Sequence, residues 1–133
     1  MIFLPDTNAC IALLRGDSLR LLQRWRETPV QQMVMCSVVV YELRYGAARC
    51  SRPEREQALL DEFLAPFTSL PFDDACAGRC AMLRRELEQA GEVIGPHDLQ
   101  IAAVALQHSL TLVTHNTREF SRVRALRLED WES

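Results

Sequence analysis

Short β-prone runs alternate with longer helical ones along the whole chain, and this alternation restricts the fold more than any other feature. Strand, helix and strand in succession pack as parallel strands joined by right-handed crossovers. Ile2-Phe3-Leu4 reads as a first strand, followed by helical segments Ala9 to Leu14 and Leu19 to Trp25, parted by Gly16-Asp17-Ser18. Met33 to Cys36 reads as a second strand. Val38-Val39-Val40 reads two ways: β-branching favours a strand, while Ser37 can cap a helix running to Ala48. Ser51-Arg52-Pro53-Glu54 signals an amphipathic helix from Arg52 to Pro66, and Thr68 to Leu70 is a weak strand. A helix starts at Asp73 or Asp74 and ends near Gly91, where a loop runs to Pro96. Asp98 to His108 is apolar nearly all round and therefore belongs in the interior. Leu110 to Thr114 is the clearest strand, and Arg127-Leu128 is a last short one. The 133 residues fit one domain, 1–133, of the α/β class, with a central parallel β-sheet flanked by α-helices.

Composition removes several function classes. No segment approaches the roughly 20 apolar residues of a membrane span. The N-terminus has no basic start and meets Asp6 too early for a signal peptide, which places the protein in the cytoplasm. The five cysteines, Cys10, Cys36, Cys50, Cys76 and Cys80, are odd in number and scattered, a poor disulfide framework. Cys76 and Cys80 stand one helical turn apart with no second ligand pair, so buried free thiols are expected rather than a zinc site. All 15 basic residues are arginine, and the absence of lysine excludes a Walker P-loop and Schiff-base chemistry. A net charge of −3 offers no global basic field, so any nucleic-acid binding must be local.

In open parallel sheets, sites form outside the carboxyl ends of the strands. Asp6 follows the first strand, Asn116 and Glu119 follow the Leu110–Thr114 strand, and Asp98 opens the buried helix before it. Glu42 interrupts an apolar stretch between Tyr41 and Leu43. Like charges about 4 Å apart repel by roughly 4 kcal/mol at an effective dielectric of about 20. Converging carboxylates therefore call for a hard cation, Mg²⁺ or Mn²⁺, and such an ion supports phosphodiester hydrolysis. Each acid also has a plainer role: Asp6 and Asp98 as helix caps, Glu42 as a solvated residue, Glu119 as part of an ordinary helical turn. Spacing alone does not choose between these.

Four motifs in order carry a resemblance. Leu4-Pro5-Asp6-Thr7-Asn8 resembles the opening of PIN-domain nucleases of the VapC group. Ser37 through Gly46, with Glu42-Leu43, resembles their second acidic motif, and Gly95-Pro96-His97-Asp98 running into Ile101-Ala102-Ala103 the third. Leu112 through Phe120 resembles the closing motif, and Leu128-Glu129-Asp130-Trp131 the tail. The resemblance implies a PIN-like fold, with a helix rather than a strand carrying Glu42, and Mg²⁺- or Mn²⁺-dependent endoribonuclease activity. It implies Asp6, Glu42 and Asp98 as metal-binding carboxylates, with Thr7 and Asn8 orienting Asp6 or contacting the scissile phosphate. It further implies a toxin that cuts initiator tRNA in its anticodon region, forms a homodimer and is silenced by a VapB antitoxin. One departure stands out: many PIN nucleases carry aspartate where this chain has Asn116, so Glu119 is the candidate for the missing charge. His97 and His115 read as structural or substrate-facing. Among rivals, a receiver-like domain needs a lysine, and a haloacid-dehalogenase-like phosphatase wants Asp-x-Asp where this chain has Asp6-Thr7-Asn8. The remaining rival is a PIN fold that binds RNA or a partner without cutting.

Overall fold

Five short parallel strands form the centre of the computed structural model, which describes all residues from Met1 to Ser133. They are β1 (Phe3–Pro5), β2 (Met35–Cys36), β3 (Ser69–Leu70), β4 (Thr111–Val113) and β5 (Arg127–Glu129). β1, β4 and β5 pair in that order, and β2 pairs with β3. A parallel bridge from Phe3 to Met33, with the Val34 N–H donating to the Phe3 carbonyl at 2.9 Å, sets the two groups edge to edge. The spatial order is therefore β3-β2-β1-β4-β5. Around it lie α1 (Thr7–Arg15), α2 (Leu19–Glu27), α3 (Ser37–Ala48), α4 (Pro53–Leu64), α5 (Asp74–Ala90), α6 (Pro96–Gln107) and the short α7 (Thr117–Phe120). None of these helices is long and apolar enough to cross a membrane.

The period-two geometry of a strand sorts side chains onto two faces. Leu4 and its register partner Leu112 point into the larger core with Ile101, Ala102, Val104 and Ala105 of α6. Phe3 and Val113 belong to a second core with Leu21, Met33 and Trp131. α6 is buried as its apolar sequence requires.

Val38-Val39-Val40 lies in α3. Val38 and Val39 are buried in the larger core, so tertiary packing overrides their β-branched preference. Ser37 does not cap this helix: it occupies the first turn, and its hydroxyl accepts from the Phe72 N–H at 3.0 Å, tying α3 to the chain leaving β3. α6 begins earlier than its apolar pattern suggests, with Pro96 in the first turn and Gly95 at the cap, so Asp98 is not a cap. All five cysteines are free, and Cys50, beyond α3, is exposed rather than buried because no layer covers that turn.

Trp131 closes the second core. It lies edge-on to Phe3 at 5.2 Å and to Trp25 at 6.3 Å, the Arg24 guanidinium sits 5.1 Å from its ring, and its indole N–H donates to Glu129 at 3.0 Å. Trp131→Ala is expected to cost about 3–5 kcal/mol of stability, read from urea unfolding. A loss under about 1 kcal/mol would show that this side chain does not hold the core closed.

Candidate functional site

Asp6 is the first residue beyond β1. Its N–H donates to the Val113 carbonyl at 2.9 Å, which extends the β1–β4 ladder by one step and holds the residue at the carboxyl edge of the sheet. The side chain is only 3% exposed. One carboxylate oxygen accepts from the Ala9 N–H at 2.8 Å and caps α1; the other accepts from the Thr114 hydroxyl at 2.6 Å. Capping and site duty thus coincide, because the cap aims the carboxylate. The Thr114 oxygen also accepts from the Asn116 N–H at 2.9 Å, so its own proton is directed to Asp6. Burial raises the Asp6 pKa, the bonds from Thr114 and Ala9 oppose the rise, and the charges of Glu132 and Glu42 add to it.

Glu42 projects from the middle of α3 and is half-buried. One oxygen accepts from the Thr7 hydroxyl of α1, and the other lies 3.1 Å from Nδ1 of His97 on α6. Three helices therefore meet at this carboxylate. Asp98, in the first turn of α6, is treated differently. Its pKa is raised to about 6, first by burial and then by the charges of Glu119, Asp6 and Glu42, with His97 opposing. Glu119, on α7, accepts from the Gly95 N–H at 2.9 Å and from the Asn116 amide at 2.8 Å, and these bonds hold its pKa below the ordinary value. A Cβ on Gly95 would sit 3.7 Å from Oδ2 of Asp98 and 3.9 Å from Oε1 of Glu119, so the two carboxylates border one small space.

The fold thus brings Asp6, Glu42 and Glu119 close enough for all three charges to act on Asp98, with Asn116 supporting Glu119. Thr7 serves Glu42 rather than Asp6, and Asn8 is exposed on α1 without a hydrogen bond to any of the four acids. Sequence reasoning assigned no role to Thr114, the residue that does orient Asp6; its one signal is a hydroxyl at the end of the strand neighbouring β1. Glu132 was also missed. Asp130 and Glu132 flank the buried Trp131, and their carboxylates lie within 4.8 Å of each other and of the His115 ring. Asp130 bonds His115 at 3.0 Å and raises the histidine's pKa, with Glu132 adding to the effect.

The four gathered acids offer hard oxygen donors in a partly desolvated space where their charges oppose one another. That donor chemistry fits a divalent cation of the Mg²⁺ or Mn²⁺ type, which would relieve the repulsion acting on Asp98.

Comparison with known proteins shows what the chain resembles as a whole. The PIN domain family model matches residues 3–126. The chain is 39% identical over 97% of its length, and 97% of the relative's, to the tRNA(fMet)-specific endonuclease VapC of Shigella flexneri. It is 37% identical, again over 97% of each chain, to the ribonuclease VapC2 of Haemophilus influenzae strain Rd. The crystal structure of DNA-bound VapBC from Salmonella typhimurium superposes with a TM-score of 0.92 at 34% identity, covering 98% of both chains.

The state of Asp98 can be tested on stability. Its folded pKa of about 6 lies above the ordinary 3.8, so the fold favours the protonated form. That contribution is complete below about pH 4 and is lost as pH rises through about 6. In EDTA, Asp98→Asn should therefore raise the melting temperature at pH 7.5 and leave it little changed at pH 4. An equal shift at both pH values would place the effect in packing rather than charge.

Proposed function

The chain belongs to the PIN-domain family, in its VapC branch, and on that footing we propose that it is a metal-dependent endoribonuclease, the toxin of a toxin–antitoxin pair, which cuts tRNA and thereby stops translation. The observation that carries this reading is the set of acids at the carboxyl edge of the sheet, with Asp6 aimed by Thr114 and Glu42 held between Thr7 and His97. We assign initiator tRNA as the substrate, cut in its anticodon region; the Shigella relative is named for tRNA(fMet). The reading takes residues 1–133 as a single PIN domain acting in the cytoplasm, where tRNA is found.

Asp6, Glu42 and Asp98 would hold Mg²⁺ or Mn²⁺, and the ion, when bound, supplies the positive charge that polarises the phosphodiester and activates water. The chain's own groups do the positioning. Thr114 and the Ala9 N–H fix Asp6, and Thr7 fixes Glu42. Glu119 is kept ionised by its two bonds, and the remaining lone pairs of its carboxylate are free to orient a water. Asn8, exposed in the first turn of α1, would meet the substrate backbone.

A VapB-type antitoxin is the assigned partner, because the related structure is a VapBC complex. A homodimer is the assigned assembly: Leu59 of α4 and Met82 of α5 remain 47% and 66% exposed, apolar surface that a second copy would cover.

Cleavage of total RNA, with the ends mapped, tests the activity. EDTA should abolish it and Mg²⁺ or Mn²⁺ restore it, whereas Ca²⁺ should not. Asp6→Asn should be inactive yet folded. In the same assay Glu119→Gln should slow cleavage and raise the Mg²⁺ requirement more than Asn116→Ala does. Full activity in Asp6→Asn would refute its role, and absence of cleavage with any of these ions would favour an RNA- or partner-binding module without catalysis.

The dimer has its own measurement. Light scattering at micromolar concentration should give twice the chain mass of 15.2 kDa. A strictly monomeric mass would contradict the assembly.

A further inference from the structure

The outer face of α3 carries a row of groups that nothing inside the chain explains. Tyr41, Tyr45 and Arg49 recur every fourth residue and so share one face, opposite the buried Val39, Leu43 and Ala47. Tyr41 and Tyr45 are each 55% exposed. Their rings stack at 6.4 Å with 17° between planes, and the Arg49 guanidinium lies 5.1 Å from the Tyr45 ring. At the other end, the His97 ring meets Tyr41 edge-on at 5.5 Å, and Nδ1 of His97 lies 3.1 Å from Glu42. The row therefore runs unbroken from solvent to one of the gathered acids. Gly46 stands beside Tyr45 in the same exposed surface, and a Cβ there would meet nothing within 4 Å. Gly46 lies in the last turn of α3, and no packing inside the chain requires a glycine there.

We propose that Tyr41, Tyr45 and Arg49 form a strip on which nucleobases of single-stranded RNA stack beside the cleavage point, positioning the strand against Glu42. The proposal rests on the ribonuclease reading. RNA is favoured as the occupant because the row is continuous, through His97, with the acids assigned to cleavage. The chain carries a net charge of −3, and its site is lined by carboxylates, so phosphate attraction alone binds the strand poorly. Stacking on aromatic faces supplies affinity without a basic field, and a guanidinium plane serves the same end while neutralising one phosphate. The bare backbone at Gly46 leaves room for the sugar–phosphate chain to lie close along the helix.

The test uses the anticodon stem–loop of initiator tRNA as the probe. Both rings are exposed, so Tyr41→Ala/Tyr45→Ala should keep its fold, checked by circular dichroism. The double variant should raise KM by about ten-fold or more, with kcat close to the parent's. Tyr41→Phe/Tyr45→Phe should retain the parent's KM, because the π-faces remain. Replacing the loop nucleotide beside the cut with an abasic residue should weaken the parent by a similar factor and the alanine double variant hardly at all. If the parent cuts the probe and the alanine variant has an unchanged KM, or if both proteins lose equally with the abasic probe, the strip is overturned and the ribonuclease reading stands. It is likewise overturned if the substitutions weaken only antitoxin binding. If the parent cuts no RNA, the ribonuclease reading fails separately. Fluorescence anisotropy with a 2′-O-methyl version of the probe then decides the strip: tighter binding by the parent than by the alanine variant supports it, and equal binding overturns it.

Discussion

The hydrogen bond between the Thr114 hydroxyl and Asp6 joins the sheet to the site. β1 and β4 are parallel neighbours, so their carboxyl ends lie side by side, and the residue after each strand emerges on the same edge. Asp6 leaves β1 there and Thr114 leaves β4 there. Their bond makes the direction of a buried carboxylate depend on strand register. A slip of one residue would turn Thr114 to the other face and leave Asp6 desolvated with one partner fewer. The Leu4–Leu112 pair, one face of the core, guards that register through packing.

The same edge must tolerate several like charges, and the fold treats each one differently. Asp6 receives a backbone N–H and a hydroxyl. Glu42 receives a hydroxyl and an imidazole, and Glu119 a backbone N–H and an amide. Asp98 is governed by burial and by the fields of the other three, and its pKa rises to about 6. Repulsion therefore falls most heavily on Asp98, which lacks such partners, and more lightly on Asp6, where two hydrogen bonds oppose it. A cation placed among these carboxylates would relieve the repulsion on Asp98 first.

Much of this was legible in the sequence because it is local. An apolar triplet ending in an acid marks Asp6 at a strand end, and the run Ile101 to Ala105 marks a helix buried on all sides. Gathering Glu42 with them needed the whole series of motifs, because Val38-Val39-Val40 prefers a strand until the core around Val39 is taken into account. What could not be read depends on partners distant in the chain. Thr114 and Asp6 are separated by 108 residues, and Glu119 reaches a backbone N–H 24 residues away. The resemblance gives Thr7 the task of orienting Asp6 or meeting the scissile phosphate, but the first turn of α1 points its hydroxyl across to Glu42 on α3. Asn8, next along that helix, faces solvent for the same geometric reason.

The 108-residue span between Asp6 and its hydroxyl partner also sets an order of events during synthesis. A nascent chain carries Asp6 from its sixth residue and can engage it early as the cap of α1, but the second bond, from Thr114, forms only once β4 has left the ribosome and paired with β1. Glu119 and its amide partner emerge in the same late stretch. The acid cluster is therefore among the last features of the fold to be completed, and a chain interrupted before Thr114 lacks the hydroxyl that completes the grip on Asp6.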